Sequence, residues 1–385
     1  MSHAAAEKIY SLNEATDLAN FRKANVPLFN KQPVKLGLFA INANGSVFQT
    51  QVPSTFEVTW KHSVKIAQIC DEIGFEVLVP ITRWLGFGGA TDHHNVTFET
   101  ISYAAGLAAL TKNISIFSTI HASVIHPIVA AKAIATIDHI SNGRAGLNIV
   151  MGWYAKEMEM MGIELRDHSK RYDYGAEWMT IIDRLWTERS PFDFPGEFFD
   201  LKGCQSFPKP VQPRPVVVNA GGSPTGADFS ARFADFNFTN FVTEEQARSY
   251  CGKIRDLAKE KYQRDIGMLT MTVVVCRETE AEAKADYQAI IDQGDWDAAN
   301  NYIEALSINP GAHEEHLRKE FVKKFAAGAG NHALVGTPEQ VAEGFQSIHD
   351  AGIDGVFMGM IDYAQELPFF AERVMPLMRE RGLRL

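Results

Sequence analysis

Short apolar runs, mostly of β-branched residues, alternate along the chain with longer stretches in which apolar positions recur every three or four residues. The first run is Val34–Asn42, and the stretch that follows it, residues 58–73, ends at Gly74. The first pattern is typical of a buried strand, and the second of an amphipathic helix that a glycine terminates. The alternation predicts strands at Val34–Asn42, Phe75–Val79, Ile114–Ile120, Ala145–Met151, Pro215–Ala220, Asp235–Asn240, Met268–Cys276 and Gly355–Met360. It predicts helices between the early strands at residues 58–73, Thr97–Leu110, Pro127–Ile140 and Arg171–Trp186.

Eight strand–helix alternations indicate a parallel sheet, and that number favours a closed (β/α)8 or TIM barrel over an open doubly wound sheet. We therefore expect one α/β barrel domain at residues 34–385, preceded by an N-terminal extension at residues 1–33. Residues 337–340 read Thr-Pro-Glu-Gln, which predicts a helix start with a capping box. Two long stretches break the period. Residues 188–214 are rich in Pro, Phe and Gly and predict an ordered insertion, whereas residues 290–335 end in a small-residue segment that predicts a mobile lid.

The composition narrows the class of protein. The chain has 385 residues, of which 46% are hydrophobic and 22% charged, an ordinary balance for a globular core. Its formal net charge of −10 disfavours nucleic acid as a partner, because that role needs a basic surface. The beginning of the chain lacks a basic segment followed by an apolar one, and no apolar run is long enough to span a membrane. We therefore expect a cytoplasmic protein.

Polar residues stand where the predicted strands end, which is where barrel enzymes carry their chemistry. Asn148 interrupts an apolar strand, and a buried amide must find partners. Either it bonds neighbouring backbone, or it fits the alternating donors and acceptors on the edge of a planar cofactor such as a flavin. Thr119, on the adjacent strand, can place a hydroxyl beside the same ligand, although threonine is also an ordinary strand residue. The strand ends hold Thr82-Arg83-Trp84, Ser118 to His121, Asn148 to Trp153, and Asn219 to Ser223.

Gly221-Gly222-Ser223 precedes the helix after the fifth predicted strand. Glycine permits close backbone approach and a helix N-terminus attracts anions, so these residues form either a phosphate site or simply a turn with a helix cap. Arg171 and Tyr172, near the start of the previous helix, can add a cation and a hydroxyl to the same phosphate. The segment is neither a Walker motif nor a nucleophile elbow.

The remaining motifs carry less information. Gly86–Gly89 (Gly-Phe-Gly-Gly) lacks the strand–GxGxxG–helix context and predicts a flexible active-site loop. His93 and His94 are adjacent and are expected to point in different directions. There is no HExxH motif and no paired-cysteine spacing, so we expect no metal site. His121 and His126 are expected to flank the pocket, as walls or in proton transfer.

Together these segments resemble the bacterial luciferase-like flavin monooxygenases, over nearly the whole chain from about residue 34. Within that group the resemblance is greatest to the FMN-dependent pyrimidine (uracil) monooxygenases. It is carried by Ala135–Arg144 (ATIDHISNGR) with Asn148 and Gly152-Trp153, by Gly86–Gly89, by Arg171-Tyr172, and by Ala231–Phe238 (ARFADFNF).

The resemblance implies a two-component enzyme that uses reduced FMN and dioxygen on a small molecule, with a separate NAD(P)H:flavin reductase and a homo-oligomeric assembly. It implies a catalytic pair, Thr119 and Asn148, beside flavin N5, so that dioxygen adds there as an N5-peroxide instead of the commoner C4a-peroxide. Related sulfone monooxygenases are similar around Asn148 but tend to lack that threonine. The implied FMN contacts are Thr82, Arg83, Asn148, Glu157, Arg171, Tyr172, Gly222 and Ser223.

The chain departs from the pyrimidine enzymes at Trp84, His121, His126 and the loop Asp92–Asn95, and these residues, with Trp153, are expected to face the substrate. The substrate therefore stays open among a pyrimidine-like ring, a flavin-like ring such as riboflavin, a sulfone and a halogenated aromatic. Two other functions on the same barrel are a deazaflavin (F420)-dependent dehydrogenase and a flavin-binding protein without turnover. An isomerase or aldolase is disfavoured, because no lysine or carboxylate pair stands at the ends of predicted strands two to five.

Overall fold

The structure, a computed structural model, describes residues 12–241, 243–306 and 315–385, and within these ranges eight parallel strands close into a barrel. The strands in chain order are β1 (Lys35–Phe39), β2 (Val77–Val79), β3 (Ser115–His121), β4 (Ala145–Val150), β5 (Phe192–Pro195), β6 (Asp200–Cys204), β7 (Val216–Asn219), β8 (Phe236–Phe238), β9 (Gly267–Cys276), β10 (His332–Gly336) and β11 (Gly355–Gly359). The barrel order is β1-β2-β3-β4-β7-β8-β9-β11, and β11 pairs with β1 to close it. The predicted (β/α)8 fold is confirmed.

Helices surround the barrel. They are α1 (Leu12–Asn25), α2 (Trp60–Ile73), α3 (Thr100–Leu110), α4 (Pro127–Ser141), α5 (Ala155–Met160), α6 (His168–Thr187), α7 (Pro224–Phe233), α8 (Glu244–Tyr262), α9 (Glu280–Asp292), α10 (Trp296–Ala305), α11 (Glu315–Ala326), α12 (Pro338–Asp350), α13 (Tyr363–Arg373) and α14 (Met375–Glu380). The predicted capping box is present at Thr337, where α12 begins. In the described ranges, no helix combines the length and apolarity that crossing a bilayer requires.

Alternation along each strand separates two apolar layers. Ile116 and Leu147 point outward into the layer beneath the helices, whereas Phe117 points into the barrel. Gly146 lies opposite Phe117, and a Cβ atom there would lie 2.3 Å from the Phe117 ring. A bulky ring beside a glycine therefore fills the barrel just below Thr119, and the open side of Thr119 faces the carboxyl ends of the strands.

The predicted strand boundaries are too wide where a local backbone feature ends the strand. The run Val34–Asn42 was expected to be a strand throughout, but β1 ends at Phe39 because Ala40 adopts a positive φ of 62°. Such a conformation is uncommon outside glycine and breaks an extended chain.

The two expected insertions are both ordered in the described ranges. Residues 188–214 contain the antiparallel hairpin β5–β6, as the prediction of an ordered excursion required. The small-residue segment at the end of residues 290–335 is the end of α11, a turn and strand β10, which pairs in parallel with β9. Its role as a mobile lid stays a prediction. Strand β10 is short and lies at the edge of the sheet, where, among the described strands, it pairs only with β9. Its sequence therefore lacks the long apolar run that predicts a strand.

The described part of the N-terminal extension closes the amino end of the barrel. Val26 and Leu28 are buried in the cluster that fills the barrel, and Phe29 packs on Phe236 with ring centroids 5.3 Å apart. Arg22 pairs with Asp235 at 2.8 Å. These residues therefore share one core with the barrel.

Asp235 is the centre of a charge network at this end. Besides Arg22 it contacts Arg214 at 2.9 Å and Arg264 at 3.2 Å, and Arg214 also contacts Asp183 at 2.8 Å. Burial opposes ionisation of Asp235, but the three arginines outweigh it and lower the pKa of this carboxyl to about 2.

Candidate active site at the carboxyl ends of the strands

The predicted catalytic pair lies side by side at the barrel mouth. Thr119 on β3 and Asn148 on β4 are direct partners in the sheet, and Asn148 Nδ2 donates a hydrogen bond to Thr119 Oγ1 at 3.0 Å. The Thr119 hydroxyl in turn donates to the carbonyl oxygen of Pro80. Among the residues that the structure describes, none donates to Asn148 Oδ1. The pair is thus held in one orientation, with an amide acceptor left for a ligand.

Arg83 and Glu157 form a buried ion pair next to this pair. Arg83 Nη1 lies 3.1 Å from Glu157 Oε1, and the Glu157 side chain has 0% exposure. The same carboxylate oxygen accepts the backbone amides of Trp84 at 2.7 Å and Leu85 at 3.2 Å. Glu157 therefore holds the loop after β2 and the guanidinium on it. Sequence reasoning assigned Glu157 to the flavin, whereas the structure places it beneath Arg83.

Several buried polar atoms here have no hydrogen-bond partner in the described part of the chain. They are Arg83 Nε, Glu157 Oε2, His121 Nδ1 and Arg171 Nε, while Arg83 Nη1 has only its ion pair with Glu157. Leaving such atoms unpaired is costly, so a cluster of them at one place indicates a polar ligand.

Aromatic rings complete the wall beside Arg83. Its guanidinium carbon lies 4.7 Å from the ring centroid of Trp153 and 5.1 Å from that of Phe87. Phe87 also stacks on Tyr302 of α10, with centroids 3.9 Å apart and planes 10° from parallel. Cation–π contacts of this kind stabilise an arginine that lacks hydrogen-bond partners.

A cavity of about 210 Å³ opens beside Thr119 and is the structural counterpart of the expected substrate pocket. Thr82, Trp84 and His121 line it together with four aliphatic side chains. Trp84 is 41% exposed at its rim, whereas His121 is buried. Burial, and then the charge of Arg83, lower the pKa of His121 to about 3. The imidazole is therefore neutral at pH 7 and offers one donor and one acceptor.

Most of the residues expected to bind a phosphate lie together at the N-terminus of α7. Ser223 caps the helix by accepting the amide of Gly226 at 3.1 Å, and Gly222 beside it is exposed. The Tyr172 hydroxyl reaches the same turn, since a Cβ atom on Gly226 would lie 2.6 Å from it. Arg171 lies further off and donates to the carbonyl oxygen of Gly152. Free amides at a helix N-terminus with a hydroxyl nearby suit a phosphate.

Sequence reasoning missed His168 at this place. Its Nε2 lies 3.4 Å from Ser223 Oγ, and its ring packs on Tyr172 with centroids 5.2 Å apart. The available signal was its spacing, because His168 stands four residues before Tyr172 on α6 and so on the same helix face.

His126 lies apart from the residues at the cavity and at the start of α7. It caps α4 by accepting the amide of Ile128 at 3.3 Å, it is exposed, and its ring meets Phe199 edge-on. It does not line the described cavity beside Thr119. The expectation that His126 borders the pocket is therefore not met, because the chain turns outward after β3 to begin a helix.

The histidines of the loop Asp92–Asn95 also differ from expectation. Their side chains do not diverge: the His93 and His94 rings stack with centroids 3.7 Å apart, because His94 adopts a positive φ of 64°. Both are buried, and they contact Gln49 and the Ser46 carbonyl oxygen, so they support the loop from within. Among described residues, no three His, Cys, Asp or Glu side chains gather as metal ligands.

The residues present fit a flavin mononucleotide. The ligand needs hydrogen-bond partners for the edge of a planar ring, an apolar wall and a seat for a phosphate. Asn148, Arg83 and Thr82 stand at the mouth, Trp153 offers a ring face, and Ser223 marks the helix N-terminus.

Comparison with known proteins agrees with this fit. Residues 34–355 match the luciferase-like monooxygenase family. The chain is 33% identical over 357 residues to the pyrimidine monooxygenase RutA of Acinetobacter baylyi, covering 90% of this chain and 95% of that protein. It is 29% identical over 356 residues to the FMNH2-dependent dimethylsulfone monooxygenase of Pseudomonas fluorescens, covering 91% and 96%. A crystal structure of riboflavin lyase (RcaE) with modified FMN and riboflavin aligns with a TM-score of 0.81 at 22% identity, covering 92% of this chain and 93% of that chain. The chain belongs to the luciferase-like monooxygenase family and is a flavin-dependent monooxygenase.

Proposed function

We propose that the chain uses reduced FMN and dioxygen to oxidise, or oxidatively cleave, a small heterocyclic substrate that is pyrimidine-like or flavin-like. The observation that carries the proposal is the Thr119–Asn148 pair, beside a cavity with a neutral, buried His121. The pyrimidine monooxygenase relative and the riboflavin-bound structural neighbour support this substrate class. The dimethylsulfone monooxygenase relative makes a sulfone the second candidate substrate.

In this proposal one group of residues binds the flavin ring and another binds the phosphate. Asn148, Thr82 and Arg83 hold the ring edge, while Ser223, Gly222 and Tyr172 hold the phosphate, with the Arg171 charge nearby. When bound, reduced FMN supplies the two electrons that activate dioxygen. With FMN bound, Thr119 and Asn148 would line the side of the ring that dioxygen meets, and we propose N5 instead of C4a for that place. A separate NAD(P)H:flavin reductase delivers the reduced cofactor.

The protein's own contribution is placement and electrostatics. Arg83 puts a positive charge beside a ring that becomes electron-rich, and it does so in a site shielded from water, where charges act strongly. Glu157 fixes that charge and the backbone of the next two residues. His121 can donate to one polar atom of a neutral substrate and accept from another, and Trp84 lines the same cavity. Trp153, expected to face the substrate, lies against Arg83 and is not among the described residues that line this cavity.

A cytoplasmic location and a homo-oligomeric assembly, both expected from the sequence, stay predictions.

The proposal is tested with FMN, NADH, a generic flavin reductase and ¹⁸O-labelled dioxygen, offering pyrimidines, riboflavin and dimethyl sulfone. Mass spectrometry should find a labelled or cleaved heterocycle with the native protein. In Asn148→Ala and Thr119→Val the yield should fall about 100-fold, as when one group that stabilises developing charge is removed. Thr136→Val, an exposed threonine on α4, is the matched control and should leave the yield unchanged.

Two outcomes contradict the proposal. Product from dimethyl sulfone alone would select the second candidate. Hydride exchange with F420 and no oxygenated product would replace the monooxygenase function by a dehydrogenase function on the same barrel.

A further inference from the structure

We infer that Tyr302, on α10 of the 290–335 insertion, is a positioning residue of the active site, holding Phe87 and Trp153 in place around Arg83 and so keeping bulk water from the reaction. The inference rests on the proposed function for its chemical consequence, but its structural part is testable alone. No sequence motif pointed to Tyr302, and it reaches the site from more than two hundred residues away along the chain.

The first observation is the arrangement of three nearly parallel rings. Tyr302 stacks on Phe87 at 3.9 Å and 10°, and on Trp153 at 6.0 Å and 12°. Phe87 and Trp153 are 6.4 Å apart at 14°. Tyr154 also packs on Phe87 at 5.3 Å and on Trp153 at 5.7 Å, but it is the chain neighbour of Trp153. Tyr302 makes the closest stack on Phe87 and comes from a different part of the chain.

The second observation is that polar contacts fix α10 to the loop that carries Phe87. Asp295 Oδ2 accepts the backbone amide of Thr91 at 2.6 Å and its hydroxyl at 2.7 Å. Asn301 Nδ2 donates to the carbonyl oxygen of Phe87 at 2.8 Å. A Cβ atom on Gly89 would lie 2.3 Å from Asp295 Oδ1, so the loop needs glycine to approach the helix. Helix and loop therefore form one rigid element.

The third observation concerns Arg83, which is buried and whose Nη1 pairs with Glu157 at 3.1 Å, while its Nε has no hydrogen-bond partner in the described part of the chain. The guanidinium also lies against the faces of Phe87 and Trp153, 5.1 and 4.7 Å away. Because Tyr302 supports both rings, removal of its ring leaves a gap behind the arginine and lets water approach.

The chemical consequence of removing the Tyr302 ring is that oxidation of reduced FMN is no longer coupled to oxidation of the substrate. In the coupled reaction, one oxygen atom of dioxygen enters the substrate and the other leaves as water. Where water and protons reach the site too early, the two electrons of reduced FMN and two protons convert dioxygen to hydrogen peroxide, and the substrate is unchanged. Exclusion of water by a covering element prevents such side reactions. The ring of Tyr302, and not its hydroxyl, is what the geometry requires.

The test compares Tyr302→Phe, Tyr302→Leu and Asp295→Asn with the native chain. Tyr262→Leu, a half-buried tyrosine at the end of α8, is the matched control. Hydrogen exchange of the protein without cofactor is followed at the amides of residues 84–95, which include two amides bonded to Glu157. Tyr302→Leu should speed that exchange about tenfold, whereas Tyr302→Phe and Tyr262→Leu should not. Asp295→Asn should act in the same direction as Tyr302→Leu, because it weakens the helix–loop contact and leaves every ring in place.

A second readout is product formed per dioxygen consumed. It should fall at least about threefold in Tyr302→Leu with a matching rise in hydrogen peroxide, and it should be restored in Tyr302→Phe. Unchanged exchange at residues 84–95 in folded Tyr302→Leu would overturn the inference. Changed exchange in a protein that forms no oxygenated product even in its native form would instead sink the proposed function and leave the positioning role standing.

Discussion

The two ends of the barrel use the same charged residue types for opposite purposes. At the amino ends of the strands, Asp235 is surrounded by Arg22, Arg214 and Arg264 at 2.8 to 3.2 Å. At the carboxyl ends, the ion pair of Arg83 and Glu157 leaves buried polar atoms of both residues without partners in the described part of the chain. One end compensates its central charge, and the other keeps hydrogen-bonding capacity for a ligand.

The amino end is not free of unpartnered atoms, and the difference lies in how they are distributed. Arg22 Nε and Arg384 Nε are unpartnered in the described residues, but both belong to guanidinium groups that otherwise bond carboxylates. At the mouth, Arg83 also pairs with a carboxylate, but the unpartnered atoms there belong to side chains of three kinds, on Arg83, Glu157, His121 and Arg171. Unpartnered atoms on a carboxylate, an imidazole and guanidinium groups together, more than their number, therefore distinguish the carboxyl end from the amino end.

The largest effect on stability is expected from Asp235→Asn. It keeps the shape but leaves three arginines facing a neutral amide, and loss of one partner from a buried ion pair costs about 3–5 kcal/mol. Denaturant unfolding measures the free energy directly. Glu197→Gln is the control, since its pair with Lys170 is exposed and should contribute little to the free energy of unfolding. Equal effects of the two substitutions would contradict the structural role of the amino end.

The double variant Arg83→Met/Glu157→Gln tests whether the ion pair at the carboxyl end of the barrel serves activity more than stability. It removes both charges together, so the free energy of unfolding should change by no more than about 1 kcal/mol. Product formation should nevertheless fall about 100-fold, because a preorganised charge is lost. A variant as unstable as Asp235→Asn, or one that keeps full activity, would show that the two ends do not differ in the way described.

Lowering the pH should decrease the free energy of unfolding through three buried histidines at the carboxyl end of the barrel. Burial and the Arg83 charge lower the pKa of His94 and His121 to about 3, and burial, followed by the His94 and Arg83 charges, lowers that of His93 too. In the unfolded chain these groups take up protons near pH 6.5, so the unfolded state binds more protons below that pH. Stability is full above pH 6.5 and falls as the pH drops toward 3, by up to about 1.4 kcal/mol per pH unit for each group. Unfolding measured from pH 7 to 4 should have a smaller slope in His121→Phe, and identical slopes would refute this assignment.

The smallest effect is expected from His126→Ala. Loss of the helix cap should lower the free energy of unfolding by about 0.5–1 kcal/mol, with KM for the substrate unchanged. Steady-state kinetics on the substrate found by the labelling screen checks this. A severalfold rise in KM would show that His126 contacts the substrate, despite its exposed position at the start of α4.

The features that sequence predicts well are local. The strand–helix alternation, the capping box at Thr337 and the cap at Ser223 depend on residues within one turn of each other, and the structure shows them. The Thr119–Asn148 contact was also within reach, because adjacent parallel strands end at the same edge of the barrel.

What sequence did not predict depends on distant partners or on single torsion angles. The Phe87–Tyr302 stack joins residues that no periodicity connects, and strand β10 exists only through its pairing with β9. The stacking of His93 on His94 requires a positive φ at a residue that usually avoids it. The pairing of Glu157 with Arg83 and with the backbone of the β2 loop likewise joins residues distant in the chain, and its contact with flavin stays a prediction.

The most direct test of the account is an anaerobic titration of the protein with reduced FMN, followed by the change in flavin absorbance. Saturable binding is expected for the native chain and for Glu197→Gln. Binding should be at least about tenfold weaker in Arg83→Met/Glu157→Gln and in Ser223→Ala, because the first removes charged groups proposed to lie at the ring and the second a hydroxyl proposed to bind the phosphate. Absence of saturable binding, or equal affinity in all four proteins, would show that the unpartnered groups at the barrel mouth do not form a reduced-flavin site.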